Sequence, residues 1–344
     1  MSKGRGDKAA EIRRLMATEG PAIEENTKGF NRKRREAIEG LENYEELRDR
    51  AREIKEDAID RLPELIEELR TAVEDNGGHL YVADDAADAN RYVRDVAAAK
   101  EADRVVKSKS MTTEELEVND ALAEDGVDVV ETDLGEWVVQ LADETPSHLI
   151  APAIHRSRES IADLFRDVFD PADPPETADE LTSFAREKLG ERIRDADIGM
   201  TGANFVTADS GTMAIVTSEG NARKCAVTPD THVAVTGVEK VLPSTDELSP
   251  FLELLARSGT GQDLTAYVSL LTPPVDSPTV DFDDDETPLS ERDSDREFHL
   301  VLIDNGRMAM REDDQLRETL YCIRCGQCSN SCANFQHVGG HAFG

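Results

Sequence analysis

Four thiols fall within eleven residues near the end of this 344-residue chain, Cys322, Cys325, Cys328 and Cys332 in "CIRCGQCSNSC". Thiolates spaced this tightly on one loop can wrap the corners of a cubane, and soft sulfur donors select iron–sulfur clusters or zinc. A structural zinc site generally uses two separated pairs, not one tight run, so a [4Fe–4S] cluster is the expected occupant. Gly326 relieves crowding where the backbone must turn around it. In two-cluster ferredoxin modules the fourth Cys of such a run ligates the other cluster. Cys322, Cys325 and Cys328 would then hold the first cluster, whose fourth ligand belongs to a second run that this sequence lacks. The expectation is one cluster in this chain, with the missing ligands lost by truncation or supplied by a partner. A single complete cluster closed by Cys332 stays open. The fifth cysteine, Cys225, reads as a buried, inert thiol.

A second group of residues could bind and turn over a small anion. Lys107 and Lys109 stand just ahead of an expected helix start, a natural anion site, and lysine is scarce: 11 Lys against 28 Arg. They could equally offset neighbouring acids. Asn204, Asp209 and Asn221, flanked by Gly202, Gly211 and Gly220, could contact a ligand or simply build turns. His155, closing "APAIH", could be a general base or a packed core histidine. Glu219 in "TSEGN" is a carboxylate among turn formers, readable as a cap. "SGTGQ" (258–262) neither follows a strand nor opens a helix, which makes it weak evidence for a dinucleotide site.

These residues need elements to hold them. Residues 7–76 carry apolar positions at helical spacing up to a Gly77–Gly78 stop; the basic run "NRKRRE" (31–36) within them reads as a solvated helix face or a docking patch. From His79 short apolar runs alternate with helical stretches. Strands are expected at 79–83, 104–107, 127–132, 148–152, 204–208, 213–217, 232–237 and 298–304. Capping boxes are read at Thr112/Glu115, Thr177/Glu180 and Ser244/Glu247, and "TADSGT" reads as a hairpin. This alternation predicts an α/β fold with a mostly parallel sheet covered on both faces. Residues 273–297, rich in Pro and Asp, read as a solvated mobile loop. A last short helix near 312–320 leads into the cysteines. The expected units are an N-terminal helical region (1–76), an α/β domain (77–311) and a cysteine-bearing module (312–344).

Composition sets the surroundings. Acidic residues outnumber basic ones 73 to 39, a formal net charge of −34, far beyond the roughly 2–8 units of an ordinary small domain. That argues against nucleic acid or anionic membrane as partner. No apolar signal segment opens the sequence and no run approaches a membrane span. Thiols kept for metal point to a reducing compartment, so the cytoplasm is expected.

The blocks "VVKSKSMTTEELEVNDAL", "ETDLGEWVVQLADETPSHLIAPAIH", "DIGMTGANFVTADSGTMAIVTSEGNAR", "DNGR" and "CIRCGQC…GGHAFG" together resemble the iron–sulfur subunit of the L-lactate utilisation system, the LutB/LldF type. The resemblance covers about residues 10–344. It implies a LUD domain, related in fold to the NagB/RpiA/CoA-transferase group, followed by an α-helical ferredoxin-like module with two [4Fe–4S] clusters. It also implies sister subunits, oxidation of L-lactate or a related small carboxylate to the keto acid, and onward transfer of electrons to an acceptor the sequence does not name. In that setting Lys107 or Lys109 would grip the carboxylate and His155 would take the hydroxyl proton. The chain departs from the family in carrying Ala333 where the run has Pro, in lacking the second cysteine run, and in its long acidic loop. Two other readings stay open: a CoA-transferase-like acyl- or sugar-phosphate-binding domain with Glu219 as nucleophile, and a non-catalytic scaffold docking through its N-terminal helices.

A charge this large destabilises the folded chain by self-repulsion unless salt screens it. Working in concentrated salt is the expected habitat. The unfolding midpoint should rise steeply from low to molar KCl; a flat midpoint would reject it.

Overall fold

The structure, a computed structural model, describes residues 5–144, 152–153, 155–217, 219–273 and 296–339. The strand expected at 148–152 (save Pro152) and the acidic loop (save residues 273, 296 and 297) lie outside the described residues.

Among the described residues there are ten strands: β1 His79–Ala83, β2 Arg104–Lys107, β3 Asp128–Glu131, β4 Ile198–Thr201, β5 Phe205–Thr207, β6 Met213–Val216, β7 Thr231–Gly237, β8 Val241–Leu242, β9 Val268–Leu271 and β10 Glu297–Ile303. Six of them form an all-parallel sheet in the order β1-β10-β7-β4-β2-β3. This is the α/β sheet that the alternation of runs predicts. The other four make a small mixed sheet, β8-β5-β6-β9, in which β5 and β6 are the antiparallel hairpin read from "TADSGT".

Side chains along a strand point alternately to opposite faces, and the parallel sheet uses both. Val105, Ile198, Met200, Val233, Val235, Val301 and Ile303 meet the helices Ala86–Ala99 and Val118–Glu124 on one face. On the other, Val106 and Val130 meet the helices Leu134–Leu141, Arg158–Phe169 and Ala178–Arg194. Ala234, Leu300 and Leu302, further along that second face, pack into a core shared with the small sheet and the helices Tyr44–Asp60 and Leu62–Asp75. Central strand β7 is buried at every position, as a strand covered on both sides must be.

The sequence reading differs from the structure at specific places. β4, "IGMT", is too short and too glycine-interrupted to announce itself. β8 has two residues, below the length at which periodicity is readable; β9, "VSLL", is as long as β2, β3 and β6 but carries a single β-branched residue. Thr177 does form a capping box with Glu180. The helix Met111–Glu115, by contrast, is capped by Ser110, whose hydroxyl accepts from the Thr113 N–H, and not by Thr112. Ser244 precedes a 3-10 turn, Thr245–Leu248, without a side-chain cap.

One glycine fixes how closely the helices seat. A Cβ on Gly199 in β4 would lie 1.7 Å from the carbonyl oxygen of Cys225, in the helix Asn221–Val227. No side chain fits between that helix and the sheet. Gly199→Ala should therefore destabilise the fold by about 3 kcal/mol through overpacking, read as a lowered denaturant midpoint.

Candidate functional site

In parallel sheets, ligands sit outside the carboxyl ends of strands, where neighbouring connections diverge. Here the chain runs from β2 outward to β3 and then returns to β4 on the other side of β2, so the divergence falls between β2 and β4. A cavity of about 320 Å³ opens there. Ser108 to Thr112 after β2, Asp133 after β3, Gly202 to Asn204 after β4 and Lys240 after β7 line it. Ile215 and Val216 of β6, with Leu255 and Ala256 of the helix Ser249–Thr260, add apolar wall. Ile323, Arg324, Cys325 and Gly326, from the cysteine segment itself, form a further part of the wall. The loops after β2 and β4 can close on each other because residue 202 is glycine; a Cβ there would stand 2.6 Å from Ser110 Oγ.

The two lysines read from sequence have different surroundings. Lys107 is 1% exposed, its Nζ lying 2.7 Å from Glu131 Oε1 and donating to Thr113 Oγ1 at 3.3 Å. Lys109 lines the cavity; its Nζ lies 2.7 Å from Glu136 Oε1, a buried carboxyl that desolvation pushes up. The Lys109 N–H donates to Asp133 Oδ2 at 2.6 Å, and burial raises that carboxyl too.

Of the other expected residues, Asn204 lines the cavity while its Oδ1 accepts from the Val216 N–H at 2.8 Å. Asn221 donates through Nδ2 to Asp133 Oδ2 at 2.8 Å and to Thr132 Oγ1 at 3.1 Å, which steadies the cavity's acid from behind. Asp209 accepts from Ser210 Oγ and from the Thr245 N–H, within the turn between the hairpin strands and the 3-10 helix. Glu219 accepts from the Leu134 N–H at 3.2 Å, at the start of the helix Leu134–Leu141. His155 Nε2 meets Glu144 Oε2 at 2.9 Å, and His155 is not among the cavity-lining residues. Arg156 beside it holds the Glu144 carboxyl down at about 2. Cys225 is fully buried, with Thr132 Oγ1 3.3 Å from its sulfur; burial pushes that thiol up to about 12.

The cysteine segment is fastened on two sides. Its short helix Gln327–Ser331 lies against the long helix Gly20–Glu39, where Asn31 Nδ2 donates to the Asn330 carbonyl and Gln327 Nε2 donates to Asn31 Oδ1. Asn330, 0% exposed, donates to the Gly259 carbonyl at 2.9 Å. Arg324 and Gly326 both adopt left-handed backbone, φ 56° and 76°, which bends the chain sharply between the first three thiols. All four thiols are free, Cys325 and Cys332 half-buried and Cys322 and Cys328 exposed.

The donor set suits an iron–sulfur cluster: thiolates on a tightly bent loop, with the Arg324 N–H donating to Cys322 Sγ at 3.3 Å, the kind of contact that tunes such clusters. Among the described residues no three His, Cys, Asp or Glu side chains are grouped as one metal ion would need.

Sequence reasoning missed the charges behind this segment. Glu239, 5% exposed, lies 2.8 Å from Arg307 Nε and 3.4 Å from Arg324 Nη2. Glu115 lies 2.8 Å from Arg307 and 3.4 Å from Arg324. Lys240 Nζ donates to the Cys322 carbonyl at 3.0 Å, and Lys55 Nζ donates to the Glu239 carbonyl. Burial pushes Lys55 down to about 7, with the charge of Lys240 adding to the effect, and Lys240 itself down to about 8. A signal was available for one of them: in a chain this poor in lysine, "GVEKVL" places Lys240 beside a strand-like apolar run.

Residues 66–303 match the family model described as the LUD domain. The chain is 42% identical over 307 residues to Lactate utilization protein B of Shouchella clausii, covering 88% of this chain and 61% of that one. It is 42% identical over 311 residues to the uncharacterized electron transport protein YkgF of Escherichia coli, covering 90% and 62%. A crystal structure of a DUF162-family protein from Deinococcus radiodurans aligns over 70% of this chain and 98% of that one, at 12% identity and a TM-score of 0.37. The chain thus spans about three-fifths of the length of these two curated relatives.

Removing one partner of a buried ion network leaves the others uncompensated. Glu239→Gln should lower folding stability by about 3 kcal/mol. It should also expose the chain beyond Tyr321 to limited proteolysis before the sheet unfolds; simultaneous loss of both would show that the network does not anchor the segment.

Proposed function

The chain belongs to the LUD-domain family, and from that membership we propose that it is the iron–sulfur electron-transfer subunit of a system oxidising L-lactate to pyruvate. The observation that carries this reading is the position of Cys325 and Gly326 in the wall of the cavity at the strand ends. A small carboxylate bound there would lie against the thiol loop. The names of relatives, one for lactate utilisation and one for electron transport, point the same way.

Cys322, Cys325 and Cys328 would hold a [4Fe–4S] cluster, with Cys332 completing it or serving a second. Such a cluster, when bound, supplies single-electron carriage, which a two-electron oxidation of a hydroxy acid needs in succession. The remaining work falls to residues of the cavity. Lys109 and Arg324 present cationic groups for a carboxylate. Ser110, Thr112 and Asn204 offer hydrogen bonds to orient the hydroxyl. Asp133, its carboxyl raised by burial, is placed to accept a proton; His155, outside the lining, serves Glu144 instead. Ile215, Val216, Leu255 and Ala256 exclude water from the methyl side. Sister subunits and the electron acceptor would complete the system, in the cytoplasm.

Among the described residues no helix is long and apolar enough to cross a membrane.

Anaerobic reconstitution with iron and sulfide, followed by iron counting and EPR, tests this reading. One cluster means four irons per chain and a reducible signal. Cys325→Ala should lose most of that signal. A colourless or zinc-loaded product would abandon the redox role.

A further inference from the structure

Of the chain's 11 lysines, Lys55 and Lys107 are 1% exposed and Lys240 is 3% exposed. Lys107 has a carboxylate of its own in Glu131. Lys55 and Lys240 do not: neither forms an ion pair among the described residues. Their hydrogen bonds end on backbone carbonyls, those of Glu239 and Cys322. The nearby carboxylates, Glu239 and Glu115, are each engaged by Arg307 and Arg324. Four basic side chains therefore meet two carboxylates behind the cysteine segment of a chain whose formal net charge is −34.

Burying an ammonium group without a counter-charge is costly. Such a group stays charged only beside something anionic. The part of the cysteine segment set against these lysines is Cys322, whose carbonyl Lys240 engages. Resting on the cluster assignment above, we propose that Lys55 and Lys240 are positioning residues that raise the reduction potential of the cluster held by Cys322, Cys325 and Cys328. Thiolate ligands make such a cluster anionic. Its reduction adds one electron and one negative charge, with no bond made or broken, the electron coming from the oxidation of a 2-hydroxy acid. Fixed positive charge in a poorly solvated setting favours the more negative state, and local charge is one of the levers that set these potentials. Lys240 also fixes the Cys322 carbonyl, which keeps the charge and the thiol loop in register.

The test uses the full chain in two states. In the reconstituted protein, EPR-monitored titration should place Lys55→Met and Lys240→Met at more negative potentials than the parent. The expected change is a tenfold or larger fall in the equilibrium constant for reduction, 59 mV for one electron. In the cluster-free protein, Lys55→Met should be at least as resistant to denaturant as the parent, since methionine fills similar space without the charge. Unchanged or more positive potentials overturn the inference, as does a cluster-free Lys55→Met chain that is clearly less stable, which would make the lysine a structural donor. A variant of parental stability that takes up no iron overturns it, because the lysine would then be needed to assemble the cluster and not to set its potential. A parent chain that takes up no iron sinks the cluster assignment itself.

Discussion

Glu239 is the residue on which the arrangement turns. It follows directly from central strand β7, where Gly237 gives way to a 3-10 turn, and a Cβ on Gly237 would lie 1.9 Å from its carboxylate. The carboxylate is thereby folded back over the strand end. From there it engages Arg307, which follows β10, and Arg324, between the first two thiols of the motif, while its carbonyl takes Lys55 from the N-terminal helices. Three parts of the chain far apart in sequence meet at one buried acid. Such a network is weak evidence for stability, because desolvation offsets much of the attraction. It is better evidence for registration: each member has a single place in which it is satisfied.

That registration gives the cavity its character. A parallel sheet with both faces covered sends its variable loops to one end, and strand order decides where they part. Here the parting lies between β2 and β4, and the loops leaving it are polar. The cysteine segment closes the opposite wall, held by Glu239 and Glu115 at its start and by Asn31 and Asn330 further along. In the function proposed, an oxidation site and an electron carrier would be neighbours, and the shared wall would achieve this without a moving part.

Much of this was legible. The parallel sheet followed from short β-branched runs alternating with amphipathic helices, and the thiols announced themselves by spacing. The helices before β1 were evident from their periodicity. Their packing against the small sheet was not, since Leu62, Leu65 and Leu69 show an apolar stripe without showing what covers it. β4 and β8 escaped because they are short and owe their pairing to neighbours, and β9 because it carries a single β-branched residue. Among polar residues, type and turn context marked Lys109 and Asn204, which do line the cavity. The same cues marked Asp209 and Glu219, which hold a turn and a helix start. The cues were identical because a residue that orders a loop and one that faces its ligand use the same hydrogen-bonding groups. Lys240 could be found by treating a scarce residue beside an apolar run as an anomaly; Lys55 and Glu239, of which one sits among charged residues and the other is a common type here, gave no such cue.

The burial of those charges also bears on the acidic exterior. If the chain works in concentrated salt, exposed charges more than a few ångströms apart scarcely act on one another. Surface carboxylates then serve solubility and cannot hold a potential steady or guide an electron. Electrostatics that must act on a bound group has to be moved where ions do not penetrate. Lys55 and Lys240, at 1% and 3% exposure, meet that condition, and exposed lysines would not. The excess of acid outside and the basic side chains buried behind the thiols are in this sense complementary: one is given up to the solvent, and the other is kept from it.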